Sequence, residues 1–181
     1  MIKNTMGKVH GNLMIAVSAP PQQGKSESTR KLIDLLYGEL VVGRKAEGWT
    51  AEFLNTRCKV SRMQPYIPSA YTRPDKMVVF KQKGVKRIAI VTWGDELDGP
   101  VLKSFTEILI DIEEYDIIVG CCHTTGDVWN YFKRKIKPLV STFIVLSTYR
   151  LLKPLSGFDK WNARLAEHLE EIVLDKLSGI L

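Results

Sequence analysis

The chain has 181 residues, 45% hydrophobic and 25% charged, which is enough to build one packed α/β core and argues against a disordered chain. Its 26 Lys and Arg exceed its 20 Asp and Glu, and the surplus is local: Arg57, Lys59, Arg62, Arg73, Lys76, Lys81, Lys83, Lys86 and Arg87 face Asp75 alone, a field suited to an anionic partner. Three cysteines (Cys58, Cys121, Cys122) with no C-x-x-C argue against a disulfide framework and fit a cytoplasmic location, while no apolar run reaches the ~20 residues of a membrane span and no leader pattern follows Lys3 and Lys8.

In chain order, residues 1–11 read as a flexible polar arm. Leu13–Ser18 is a strand-length apolar run without alternation, the pattern of a strand buried on both faces. A helical pattern follows over Ser26–Tyr37. Ala51–Leu54 or Met77–Phe80 offers a further strand, and the Pro-rich stretch of about 56–76 reads as an irregular basic insertion within a single domain spanning 1–181. Arg87–Thr92 is a second buried strand. Gly99–Glu114 carries Val101, Phe105, Ile108 and Ile112 at helical spacing, with Asp98 as its cap. Asp116–Cys121 and Thr142–Ser147 are further strands. Helical patterns cover Asp127–Lys137 and Asp159–Leu177. Strands alternating with helices imply right-handed βαβ units. The expected fold class is a three-layer, doubly wound, mainly parallel α/β sheet of about five strands.

The stretch between the first strand and the first helix is Ala19-Pro20-Pro21-Gln22-Gln23-Gly24-Lys25-Ser26, followed by Glu27. It resembles the phosphate-binding loop, or Walker A motif, of P-loop NTPases, with Ala19 at the usual first glycine. The phrases Ile90–Asp95 and Asp116–Cys122 are similar to those of small P-loop proteins of bacteria and phages. The resemblance implies that residues 19–27 wrap the phosphates of ATP. Lys25 would then meet the β- and γ-phosphates, and the Ser26 hydroxyl would meet Mg²⁺.

Ligands in such sheets bind beyond the carboxyl ends of the strands, which ranks the remaining candidates. After the second buried strand comes Trp93-Gly94-Asp95-Glu96, and Asp95 is the expected Mg²⁺ carboxylate, with Glu96 and Asp98 as rivals. Asp116 starts its strand and lies at the wrong end. Thr124, Thr125 and Asp127 face the γ-phosphate or its water, or else Thr125 or Asp127 caps the next helix, and His123 is a base, a phosphate contact or neither. Cys122 beside His123 is a weak nucleophile pair, since neighbours on a strand point opposite ways. Arg134, in the run Lys133-Arg134-Lys135, resembles in position the basic lid of nucleoside monophosphate kinases, and Arg150 resembles a base contact. The interleaved aromatics Trp49, Phe53, Tyr66, Tyr71 and Phe80 either pack or stack bases, and packing is the simpler reading.

Two functions follow. The first is a small kinase using Mg-ATP on a phosphorylated or otherwise anionic acceptor. The alternative is an NTP-dependent switch or nucleic-acid-associated ATPase using the basic segment 57–87, or a nucleotide-binding module with little turnover. ATP is preferred to GTP because no Asn-Lys-x-Asp motif occurs.

Overall fold

The computed structural model describes residues 12–19, 24–55, 64–66, 68, 76–92, 99–147 and 158–181. Seven strands form one sheet: β1 (Leu13–Ser18), β2 (Trp49–Asn55), β3 (Gln64–Pro65), β4 (Lys76–Gln82), β5 (Val85–Val91), β6 (Ile117–Cys122) and β7 (Thr142–Ser147). Four α-helices accompany them: α1 (Lys25–Leu36), α2 (Gly99–Ile110), α3 (Asp127–Tyr131) and α4 (Phe158–Leu177). The strand order is β3-β2-β4-β5-β6-β1-β7.

This corrects the expected sheet. β5, β6, β1 and β7 pair in parallel, but β3–β2, β2–β4 and β4–β5 are antiparallel, so the sheet is mixed and has seven strands rather than about five. Both candidates for one further strand are strands, and they pair with each other. The physical cause lies in a tight turn. β4 reaches β5 through Lys83 and Gly84, with φ of 50° and 82°. Two consecutive residues at positive φ match the twist of a two-residue hairpin and so dictate an antiparallel return. β2 also alternates: Trp49, Ala51 and Phe53 enter one cluster and Leu54 the other.

Period-2 geometry divides the core. Leu13, Ile15 and Val17 of β1 face α1 and α4, meeting Leu32, Ile33, Leu36, Ala166, Leu169 and Val173. Met14 and Ala16 face the other way, toward Phe105 and Ile108 of α2 and Val128 of α3. Phe105 and Phe132 meet edge to face with centroids 4.9 Å apart, an arrangement worth about 0.5–1.5 kcal/mol beyond burial. α1 is prolonged by a π-helical segment, Tyr37–Gly43, which carries the buried Leu40.

Trp49, Phe53, Tyr66 and Phe80 are buried in the α1-side cluster, so these aromatics pack. Tyr71 lies outside the described residues, as do residues 1–11 and most of 56–76. Burial, aided by the hydrogen bond to Asp34, pushes the Tyr66 hydroxyl far above its ordinary range. No helix among the described residues is long and apolar enough to cross a membrane.

Candidate phosphate-binding crevice

The topology singles out one place in the parallel half. The chain leaves β1 through α1 on one face and leaves β6 through α3 on the opposite face. β1 and β6 are adjacent. Helices departing to opposite faces open a crevice outside the carboxyl ends of two neighbouring strands, where open α/β sheets bind ligands. Ser18 and Cys122 end those strands side by side, and the Ala19 amide donates to the Cys122 carbonyl at 3.3 Å.

α1 starts in this crevice. Gly24 is its N-cap with φ 77° and ψ 9°, a left-handed conformation that suits glycine, and no side chain caps the helix. A Cβ on Gly24 would also lie 2.2 Å from Oδ1 of Asn162, which projects from α4 and is itself buried. Ser28 joins the same contact: its hydroxyl lies 3.0 Å from the Gly24 carbonyl and 3.2 Å from Asn162 Oδ1. Asn162 therefore braces the turn from below, a role that the sequence analysis missed. Its only sequence signal is a polar residue on the buried stripe of a helix.

Lys25 is 3% exposed. Its Nζ donates to the Ala19 carbonyl at 3.3 Å and lies 3.4 Å from His123 Nδ1. An ammonium has no acceptor capacity, so a hydrogen bond between the two runs from Nζ to Nδ1. Thr29, one turn on, donates to the Lys25 and Ser26 carbonyls and touches Cys121 Sγ at 3.4 Å. That contact fixes the first turn of α1 against β6. The Ser26 hydroxyl is half-buried and makes no hydrogen bond among the described residues. Glu27 pairs along the helix with Arg30 at 3.3 Å.

The structure thus brings Ala19, Gly24, Lys25, Ser26 and His123 together. Arg134 is exposed in the π-helical segment Phe132–Ile136. It lies roughly 10 Å along the helix from Asp127, at 1.5 Å per residue. Pro20, Pro21, Gln22, Gln23, Asp95, Glu96, Asp98 and Arg150 fall outside the described residues. Thr124, Thr125 and Asp127 are exposed. Gly126 takes the N-cap of α3 with no side-chain bond, so neither Thr125 nor Asp127 makes the expected cap.

Cys121 and Cys122 belong to opposite clusters, as alternation requires. Burial pushes the Cys122 thiol up to about 11, against the lowering effects of a Ser18 hydrogen bond and the Lys25 charge. A thiol held protonated is a poor nucleophile at neutral pH. No group of three or more His, Cys, Asp or Glu suited to a metal occurs among the described residues.

The basic segment is partly neutralised by its own fold. Lys81 meets Glu52 at 2.7 Å, Lys86 meets Asp111 and Glu114, and Arg87 meets Asp116 at the amino end of β6. Burial alone would lower Lys86, yet its bonds and attraction to Asp111 and Glu114 hold it above the usual lysine range. A cavity of about 110 Å³ beside Leu54, Met77, Val79 and Tyr115 has Lys81 and Lys86 in its wall, and this is small for a ligand site. Arg57, Lys59, Arg62 and Arg73 lie outside the described residues.

No family model, curated protein or solved structure matches the chain.

Proposed function

We propose that the chain binds Mg-ATP in the β1–β6 crevice and transfers its terminal phosphoryl group to an anionic acceptor. One observation carries the reading: Gly24-Lys25-Ser26 opens α1 at the crevice between strands whose helices depart to opposite faces. The N-terminus of a helix offers unpaired N–H groups and the positive end of a dipole, both suited to phosphate.

The donor set fits that ligand. Inside the crevice Lys25 meets, among its partners, the Ala19 carbonyl and the His123 imidazole, acceptors that phosphate oxygens can replace. Ser26 has a hydroxyl available for Mg²⁺, with Asp95 as the proposed carboxylate partner. Mg-ATP supplies an activated phosphoryl group, and the protein supplies position and charge neutralisation. Lys25 neutralises, Gly24 lets the backbone approach, Asn162 and Thr29 keep the turn rigid, and His123 accepts from Lys25 or contacts phosphate. Arg134 and Arg150 are proposed as the transition-state cation and the base contact.

The test is ADP release in the presence and absence of Mg²⁺ across a panel of phosphorylated acceptors. Mg²⁺-dependent release stimulated by an acceptor, and reduced at least tenfold in Ser26→Ala, supports the kinase. ATP that binds without turnover under every acceptor contradicts it. Release stimulated by nucleic acid alone would make the chain an ATPase instead.

A further inference from the structure

The cations of this chain fall into two kinds. On the antiparallel extension, Lys81, Lys86 and Arg87 each meet a carboxylate. A second stretch keeps its charge. Residues 128–158 include Lys133, Arg134, Lys135, Lys137, Arg150 and Lys153 and not one Asp or Glu. The first four of these cations are exposed, on the π-helical continuation of α3, Phe132–Ile136, and the turn that follows it. None of the four pairs with a carboxylate among the described residues.

Packing holds this face in place. Val128, Phe132 and Ile136, four residues apart, are buried in the α2-side cluster, which leaves Asn130 and the four cations outside. Lys133 Nζ stands over the Trp129 ring, 5.6 Å from its centroid, and Lys137 Nζ over the Phe143 ring at 6.0 Å. The two rings meet each other with centroids 6.4 Å apart. An aromatic face attracts a cation through its quadrupole but carries no net charge. The rings therefore position two lysines without neutralising them, whereas Glu52 and Asp111 neutralise the lysines they meet.

We propose that this face, with Lys133, Lys135 and Lys137 as its phosphate contacts, binds the backbone of a nucleic-acid strand without reading its bases. Exposed Lys, Arg and Asn side chains are those that contact phosphate oxygens, and a run of cations with no carboxylate in the stretch complements a polyanion. The partly buried Trp129 and Phe143 already hold lysines, which argues against base stacking and so against sequence preference. A membrane surface fits less well. Leu139 is the single exposed large apolar residue of 127–139, and one such side chain is too little apolar area to anchor the face in a bilayer. The proposal uses none of Gly24, Lys25 and Ser26, so it stands whether or not the crevice binds ATP.

Fluorescence anisotropy of a labelled oligothymidylate, titrated with the full chain in the absence of ATP at several salt concentrations, tests this. Micromolar affinity at about 50 mM salt is expected, falling steadily as salt rises, with comparable affinity for oligoadenylate. Each phosphate contact on a single strand contributes about 0.7 to the slope of log affinity against log salt. Lys133→Gln with Lys137→Gln should therefore lower the slope by about 1.4 and weaken binding about tenfold at low salt. Lys135→Gln, whose lysine stands over neither ring, should lower the slope by about 0.7, and it decides the matter if circular dichroism shows the double variant unfolded. Lys45→Gln removes an exposed lysine from the turn before β2 and should change neither quantity. No binding at the lowest salt overturns the proposal, as do slopes unchanged in the folded variants or an equal loss in Lys45→Gln. Tighter binding of polyglutamate, or of phosphatidylserine vesicles, at the same salt overturns it too.

Discussion

The parallel half of the sheet and its antiparallel extension both supply strands to the core, yet they gather polar groups in different ways. In the parallel half, all carboxyl ends fall at one side, so Lys25 and His123 meet across 98 residues of sequence. In the extension, the chain reverses at each strand and charges pair with near neighbours, as Glu52 does with Lys81 across 29 residues. Parallel order concentrates loop-borne groups at one place where a ligand can sit. Antiparallel order spreads them along a flank, where they join strand to strand. The difference separates the region proposed to bind from a region that stabilises, and the variants below probe that separation.

The largest effect belongs to the extension. Phe80 is fully buried on β4, and Phe80→Ala should cost about 3–5 kcal/mol in urea unfolding. The same variant should leave ATP affinity within about twofold wherever it remains folded, a change of about 0.4 kcal/mol. A matching loss of affinity would mean that the two regions are not separable.

Gly24→Ala should be costly in both respects. The added methyl meets Asn162 Oδ1 and the backbone is held at positive φ, so about 1–3 kcal/mol of stability is expected to be lost along with binding. Asn162→Ala in the same chain should restore part of the stability, because it removes the clash but not the φ. A double variant no more stable than Gly24→Ala would show that Asn162 is not the brace.

Cys122 gives a chemical readout of the crevice. With its thiol pushed up to about 11, fewer than roughly one molecule in a thousand carries the thiolate at pH 7.5. Peptide mass mapping after alkylation should show slow modification, slower still in Lys25→Ala, which removes a charge that favours the thiolate. Rapid alkylation at neutral pH would mean that the crevice is open to water.

The smallest effect lies at the junction of α4 with α1. Burial first, and then Glu39, Glu167 and Glu171, raise the Glu170 carboxyl. A raised acid favours folding while protonated, and that contribution is lost as pH rises from the ordinary carboxylate range through the raised value. Glu170→Gln should therefore raise the unfolding free energy slightly at pH 7, by less than about 1 kcal/mol because solvent screens this partly exposed group. The gain should disappear at acid pH. A gain independent of pH would point to packing rather than charge.

Much of the parallel half was legible in the sequence. Leu13–Ser18 is a strand with both faces buried, and Gly24-Lys25-Ser26 opens a helix at its exit. Those features are local: apolar runs, a glycine and a helical period. The antiparallel extension was misread because the same rule was applied to runs that alternate. Trp49-Thr50-Ala51-Glu52-Phe53 carries the period of a strand in an antiparallel pair, and Lys83-Gly84 is a two-residue turn, but both signals are weaker than a long apolar run. The partners of the site were not legible at all. Asn162 lies 134 residues from the serine it touches, and its one mark in the sequence, a polar residue on an apolar helical stripe, does not say what it touches. Only the fold brings α4 beneath the first turn of α1. The charge of the basic segment was legible, but its neutralisation by Glu52, Asp111, Glu114 and Asp116 was not, since those partners come from other strands and turns.

The most direct test of the crevice is calorimetric titration of ATP into the wild type and Lys25→Ala, with and without Mg²⁺, alongside thermal melts of both. Binding strengthened by Mg²⁺ in the wild type, and about 100-fold weaker in a variant that melts as a folded protein, is the expected result, a loss of about 2.7 kcal/mol. Equal affinity in the two proteins, or none in the wild type, would contradict the assignment of the β1–β6 crevice as a phosphate site.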